Sequence, residues 1–136
     1  MTKANTKKAE LVGELRVRRL MLWYIRRGFP SLSNSFNHEG VDLIVFSGEV
    51  GRHIVEVLEV TNYGSPMYYI KKGKLDRYIK SLDFFDFLRP RPQKTLVVSF
   101  EENLTKKQLA ELHEHNITVK VVGYQDTVDK EEADKE

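Results

Sequence analysis

Apolar and polar positions recur along this chain with a changing period, and the period marks the elements. Over residues 9–27, Leu11, Leu15, Val17, Met21, Leu22 and Ile25 share one broad arc of a helical wheel, the pattern of an amphipathic helix. Gly28 and Pro30 stop it. Arg16, Arg19, Arg26 and Arg27 form a stripe on the other side, while Glu14 falls inside the apolar arc near Met21 and Ile25. Residues 31–39, rich in Ser and Asn, leave room for a short, irregular edge strand. Residues 41–46 and 53–61 read as strands rich in Val, Ile and Leu, joined by the turn 47–52, which predicts a hairpin.

Residues 62–66 break the pattern. Helical spacing returns over 74–82, with Leu75, Tyr78, Ile79 and Leu82 on one face. Phe84, Phe85, Phe87 and Leu88 follow, then the breaker 89–92. Residues 95–100 form a nearly continuous apolar run, expected of a strand buried on both faces. A helix over 105–115 turns Leu104, Leu109 and Leu112 inward, Asn116 is its expected C-cap, and 117–122 is the last strand. A final strand–helix–strand unit demands parallel strands. The expected architecture is therefore an α/β fold, a mixed sheet flanked by helices on both faces.

The chain has 136 residues, 40% of them hydrophobic, which fits one domain with a core of its own. It is read as a flexible basic N-terminus at 1–8, a single domain at 9–123 and an acidic, disordered tail at 124–136. Cysteine is absent, so disulfide scaffolds, Cys-ligated zinc, iron–sulfur clusters and thiol nucleophiles drop out. The apolar run at residues 20–25 is too short for a membrane span or a signal peptide. A soluble, cytoplasmic protein is expected. Residues 1–94 hold 17 Lys and Arg against 10 Asp and Glu, and residues 95–136 hold 5 against 10. The first part is thus suited to face a polyanion.

Strand alternation places Val55, Val57, Glu59 and Thr61 on one face of the second long strand, and Ile54, Glu56, Leu58 and Val60 on the other. Glu59 and Asp42 are acids inside expected core strands, where an unpartnered carboxylate costs several kcal/mol. Two acids on adjacent strands, with Glu14 on a packed helix, are able to share a hard cation, and oxygen ligands suit Mg²⁺ or Mn²⁺. The four histidines lack metal-type spacing; His38 and His53 read as surface or turn residues, and His113 and His115 as solvated. No Gly-rich phosphate loop and no Ser-His-Asp set is present, so no organic cofactor is expected.

The segments Gly40-Val41-Asp42-Leu43-Ile44-Val45 and Glu56-Val57-Leu58-Glu59-Val60-Thr61-Asn62 resemble the PD-(D/E)XK, restriction-endonuclease-like nuclease superfamily. The closest likeness is to its small archaeal Holliday-junction resolvases. The order of elements matches that family over residues 9–123. The resemblance implies that Asp42 and Glu59 ligate the metal and that Glu14 is the assisting helix acid, with Glu10, one turn earlier, as the alternative. The family's motif lysine, which positions the attacking water, falls on Thr61. That leaves Thr61, or a lysine from Lys71, Lys72 or Lys74, to orient water. DNA is the expected partner, gripped by Arg16, Arg19, Arg52, Lys71, Lys72, Lys74 and Arg77. Tyr68 and Tyr69 beside that cluster are candidates to stack on bases or pack on a partner. A domain this small is expected to act as a homodimer, with residues 84–88 one candidate contact. The implied function is a metal-dependent DNA endonuclease, selective for branched DNA. The alternative is a degenerate member that binds nucleic acid or a protein without cutting.

Overall fold

Four largely apolar segments and a short Ser-Leu-Ser edge pair into one sheet because none can satisfy its backbone alone. The computed structural model describes residues 3–34, 40–48 and 53–123, with the backbone alone for 3–11. In chain order the elements are α1 (Lys3–Arg26), β1 (Ser31–Ser33), β2 (Leu43–Phe46), β3 (Ile54–Val60), α2 (Lys72–Asp83), β4 (Gln93–Val98), α3 (Lys106–Glu114) and β5 (Ile117–Val121). Single 3₁₀ turns at Phe84–Phe87 and Glu101–Asn103 follow α2 and β4. The sheet order is β1-β2-β3-β4-β5. Each of the first three strands is antiparallel to its neighbour, and β3, β4 and β5 run parallel. This is the expected mixed sheet. The short edge strand, the hairpin and the closing parallel unit are all present.

The two faces of the sheet carry separate cores. On one, Val17 and Tyr24 of α1 close over Leu43, Val45, Leu58, Val60 and Val97. On the other, Leu75, Ile79 and Leu82 of α2 and Leu112 of α3 pack on Val57, Leu96, Val98 and Ile117. Strand alternation makes this division: Val57 and Glu59 face α2, whereas Leu58 and Val60 face α1.

Helix α1 departs from the expected reading in two ways. It begins at Lys3, ahead of the expected start at residue 9. Its inward stripe is Val17, Leu20, Met21 and Tyr24, while Leu15 and Ile25 are exposed. Tyr24 turns the helix inward because its hydroxyl donates to buried Glu56 at 2.7 Å. Glu56 also accepts from Thr95 Oγ1, from Gln93 Nε2 at 3.2 Å and from Lys120 Nζ at 3.3 Å. It is thus a satisfied polar hub under α1. The C-cap of α3 is His115 rather than the expected Asn116, which follows it with φ of 57° in the left-handed region common just past helix ends. His115, expected to be solvated, instead lies 2.7 Å from Asp83, which also pairs with buried Lys94 at 2.7 Å. These contacts tie the ends of α2 and α3 to the start of β4. No described helix is long and apolar enough to cross a membrane. The expected disordered tail at 124–136 lies outside the described residues.

Candidate active site

Asp42 enters β2 and Glu59 lies near the end of β3, and their carboxyl groups hydrogen-bond to each other on the α2 face of the sheet. The hairpin ladder that pairs Leu43 with Leu58 and Ile44 with Val57 brings them together. Asp42 is held from both sides of its peptide: its N–H donates to Leu58 O at 3.0 Å, and its carbonyl accepts from Asn34 N at 2.9 Å. Its Oδ2 accepts from Val60 N at 2.7 Å. One backbone donor thus points Asp42 at its neighbour.

Burial dominates the electrostatics of the pair. Glu59 is buried, and its carboxyl is pushed up to about 10 by desolvation first, then by the charge of Asp42 and the hydrogen bond between them. Asp42 is also raised by burial, but the Val60 N–H, the hydrogen bond from Glu59 and the charge of Lys74 all oppose the rise. Two acids this close cannot both ionise in a dry setting. The pair therefore keeps one proton between its two carboxyl groups at neutral pH.

The roof of the site comes from α2 and the segment before it. Lys74 lies one helical turn before Tyr78, and both act on the acids. The Lys74 ammonium is lowered by desolvation and by Arg77, and raised by Asp42. Tyr78 is raised by burial first and then by the charges of Glu59, Tyr63 and Asp42, with Arg77 opposing. Lys74 Nζ also stands 5.3 Å above the Tyr63 ring. The described residues thus assemble two carboxyl groups, one ammonium and two phenols around one spot.

The expected site residues divide cleanly. Asp42 and Glu59 meet, the charge of Lys74 acts on Asp42, and Arg77, exposed on α2, acts on Lys74 and Tyr78. Lys71 and Lys72 sit exposed at the start of α2, on the rim. Glu14 does not join them: it pairs with Arg18 at 2.7 Å on α1, across the sheet. Arg16 and Arg19 are on that same helix. Arg16 is buried and donates to Val122 O at 3.2 Å, so it is no open phosphate contact. Thr61 is buried, and its hydroxyl donates to Val97 O at 2.9 Å, which occupies its proton in joining β3 to β4. Arg52 and the side chain of Glu10 lie outside the described residues. Tyr63 belongs to the site and was not foreseen there; Tyr78 was read only as part of an inner face. The signal available was the i,i+4 spacing of Lys74 and Tyr78 on a helix that follows the acidic strand.

An all-oxygen pair suits a hard divalent cation, and a buried carboxyl forced to keep a proton is a place where a cation is able to displace it. Among the described residues no group of three or more His, Asp or Glu converges on a metal position. Such an ion would hold to Asp42 and Glu59 and take its other ligands from water and substrate, the usual habit of Mg²⁺. Comparison with family models, curated proteins and solved structures returned no match.

Proposed function

We propose that this chain is a metal-dependent DNA endonuclease with Asp42, Glu59 and Lys74 as its working residues. The observation that carries this reading is the pairing of half-buried Asp42 with buried Glu59, with the Lys74 ammonium of α2 acting on Asp42. The order of elements, one helix and an antiparallel strand set before a parallel unit, agrees with the nuclease resemblance. So does the placing of the two acids on adjacent strands. Lys74 supplies from a helix the cation that Thr61 lacks.

In this reading Asp42 is kept aligned by the Val60 N–H, and Asp42 and Glu59 would hold the cation, Glu59 as the carboxylate with its proton passed to solvent. A divalent cation held there supplies the charge that lowers the pKa of water and offsets charge on the attacked phosphate. Lys74 orients the attacking water and faces the charge that develops on the phosphate oxygens. Arg77, Lys71 and Lys72 hold the flanking backbone. Phe84 and Phe87, each 69% exposed, offer a surface on which a second copy completes a grip on branched DNA. A monomer by light scattering at micromolar concentration overturns that dimer.

The test is cleavage of linear, nicked and four-way-junction DNA with Mg²⁺, Mn²⁺ or EDTA. Metal-dependent cutting is expected, abolished in Asp42→Asn and Glu59→Gln. It should be reduced roughly 10²- to 10³-fold in Lys74→Ala, the usual loss for one electrostatic group at a reacting centre. Salt-sensitive binding without cutting would assign the chain to the degenerate binders instead.

A further inference from the structure

Residues 61–71 join β3 to α2 and run past the rim of the acidic pair. Three consecutive large side chains there stand in solvent: Met67, Tyr68 and Tyr69 are 82%, 59% and 61% exposed. Loose loops expose such residues by fraying, but this one is anchored from behind. Asn103 is fully buried, and its Nδ2 donates to Ser65 O at 3.0 Å and Tyr68 O at 2.7 Å. The Asn103 carbonyl accepts from Ile70 N at 3.0 Å. Gln108 Nε2 donates to Ile70 O at 2.7 Å, and Met67 N donates to Ser65 Oγ at 3.2 Å. The backbone is thus held inward at both ends of the exposed stretch while its rings are presented outward.

The rings also lead to the acids. Tyr68 lies with its ring centre 6.4 Å from that of Tyr63, tilted by 34°, and Tyr63 underlies Lys74, whose charge acts on Asp42. Behind the rings comes a basic run, with Lys71, Lys72, Lys74, Arg77 and Lys80 against the single acid Asp76. Cations along a row attract a polyanion, and adjacent exposed rings accept flat faces. Duplex DNA hides its base faces in the stack; unpaired nucleotides offer both a phosphate chain and free faces.

We propose that residues 67–69 form a base-stacking platform for unpaired nucleotides, so that nucleic acid with a single-stranded segment is the substrate class of this site. The inference rests on the nuclease reading for the reaction, but the platform itself needs no metal. A protein partner would meet five cations and gain little from a row of phenols without an apolar groove. An unpaired strand uses both. Tyr68 and Tyr69 take one base each, Met67 covers an outer face, and Lys71 and Lys72 follow the phosphates.

The test uses the full chain in EDTA, with fluorescence anisotropy of a labelled mixed-sequence oligonucleotide and of its blunt duplex. The single strand is expected to bind more tightly. Tyr68→Ala and Tyr69→Ala should each weaken single-strand binding about 5- to 150-fold, the range for losing one stacked base, and leave duplex binding unchanged. Tyr68→Phe and Tyr69→Phe keep the ring face and should bind like the parent, which separates stacking from hydroxyl contacts. Matching thermal melts for the exposed Ala variants exclude unfolding as the cause. Equal affinity for strand and duplex, Ala variants that bind like the parent, or no binding of either nucleic acid would each overturn the platform. Tight, tyrosine-dependent strand binding without metal-dependent cutting would support the platform and remove the proposed reaction. Cutting of duplex without strand preference would do the reverse.

Discussion

Glu59 shows how far burial moves a single group. Its carboxyl titrates at about 10 in the folded chain against an ordinary 4.5. Between those values the folded chain holds a proton that the unfolded chain releases. Its contribution to stability is therefore complete below about 4.5 and declines as pH climbs toward about 10. Glu59→Gln keeps the neutral shape and removes the penalty. In EDTA its Tm should exceed that of the parent by a margin that widens from about pH 5 to about pH 9. A margin that is flat with pH would mean Glu59 is ionised in the fold. Thr61 and Lys74 make the complementary pair. Thr61→Val removes one buried hydrogen bond to Val97 and should cost about 1 kcal/mol in urea unfolding, with cutting retained. Lys74→Ala should do the opposite, sparing stability and losing rate. If Thr61→Val abolishes cutting in a folded protein, Thr61 and not Lys74 orients the water.

At the scale of elements, strands were the legible part. Asp42 and Glu59 were found because a period of two makes an acid on an apolar face conspicuous. Helix α1 is less legible for a related reason. Its apolar residues cover a broad arc, and apolarity alone does not say that Tyr24 points inward to Glu56 while Leu15 and Ile25 point out. The same breadth of arc places Glu14 among apolar positions, although it pairs with Arg18 in solvent. Lys74 was visible only as one of several nearby lysines, because its approach to Asp42 depends on how α2 crosses the sheet, a tertiary fact. Asn103 was invisible altogether, since nothing in its neighbours marks it as the post behind a loop. Asn103→Ala strands the Ser65 and Tyr68 carbonyls and the Phe100 N–H. It should lower stability by roughly 1–3 kcal/mol and open residues 65–70 to limited proteolysis. A proteolytic pattern like the parent's would show that the loop holds its shape by other contacts.

The whole molecule carries a formal charge of +2, too small to predict affinity for a polyanion. The distribution matters more, with the cations of residues 71–80 gathered beside the acidic pair and the acids concentrated in the last third of the chain. Binding of a single strand should fall with salt at a log–log slope of about −0.7 for each phosphate engaged. Replacing Lys71 and Lys72 together by Ala should make that slope shallower by about 1.4, while Arg18→Ala, across the sheet on α1, should leave it unchanged. An equal effect from Arg18 would mean the strand runs over the other face.

The irregularity between Val45 and Phe46 has a consequence for how this protein tolerates change. The ladder shifts by one residue there, so that Val45 faces Glu56 but Phe46 faces Ile54. This slack lies between the hairpin's turn and the acidic pair. Alignment of Asp42 with Glu59 then depends on Leu43, Val45 and Leu58 staying in the core rather than on turn length. Beyond Val45 the hairpin is tied elsewhere: Phe46 N donates to Pro30 O at 2.8 Å, and Gly48 lies too close to Gly28 O to carry a side chain, so a side chain forced in at Gly48 would press on the corner between α1 and β1 before it reached the acids.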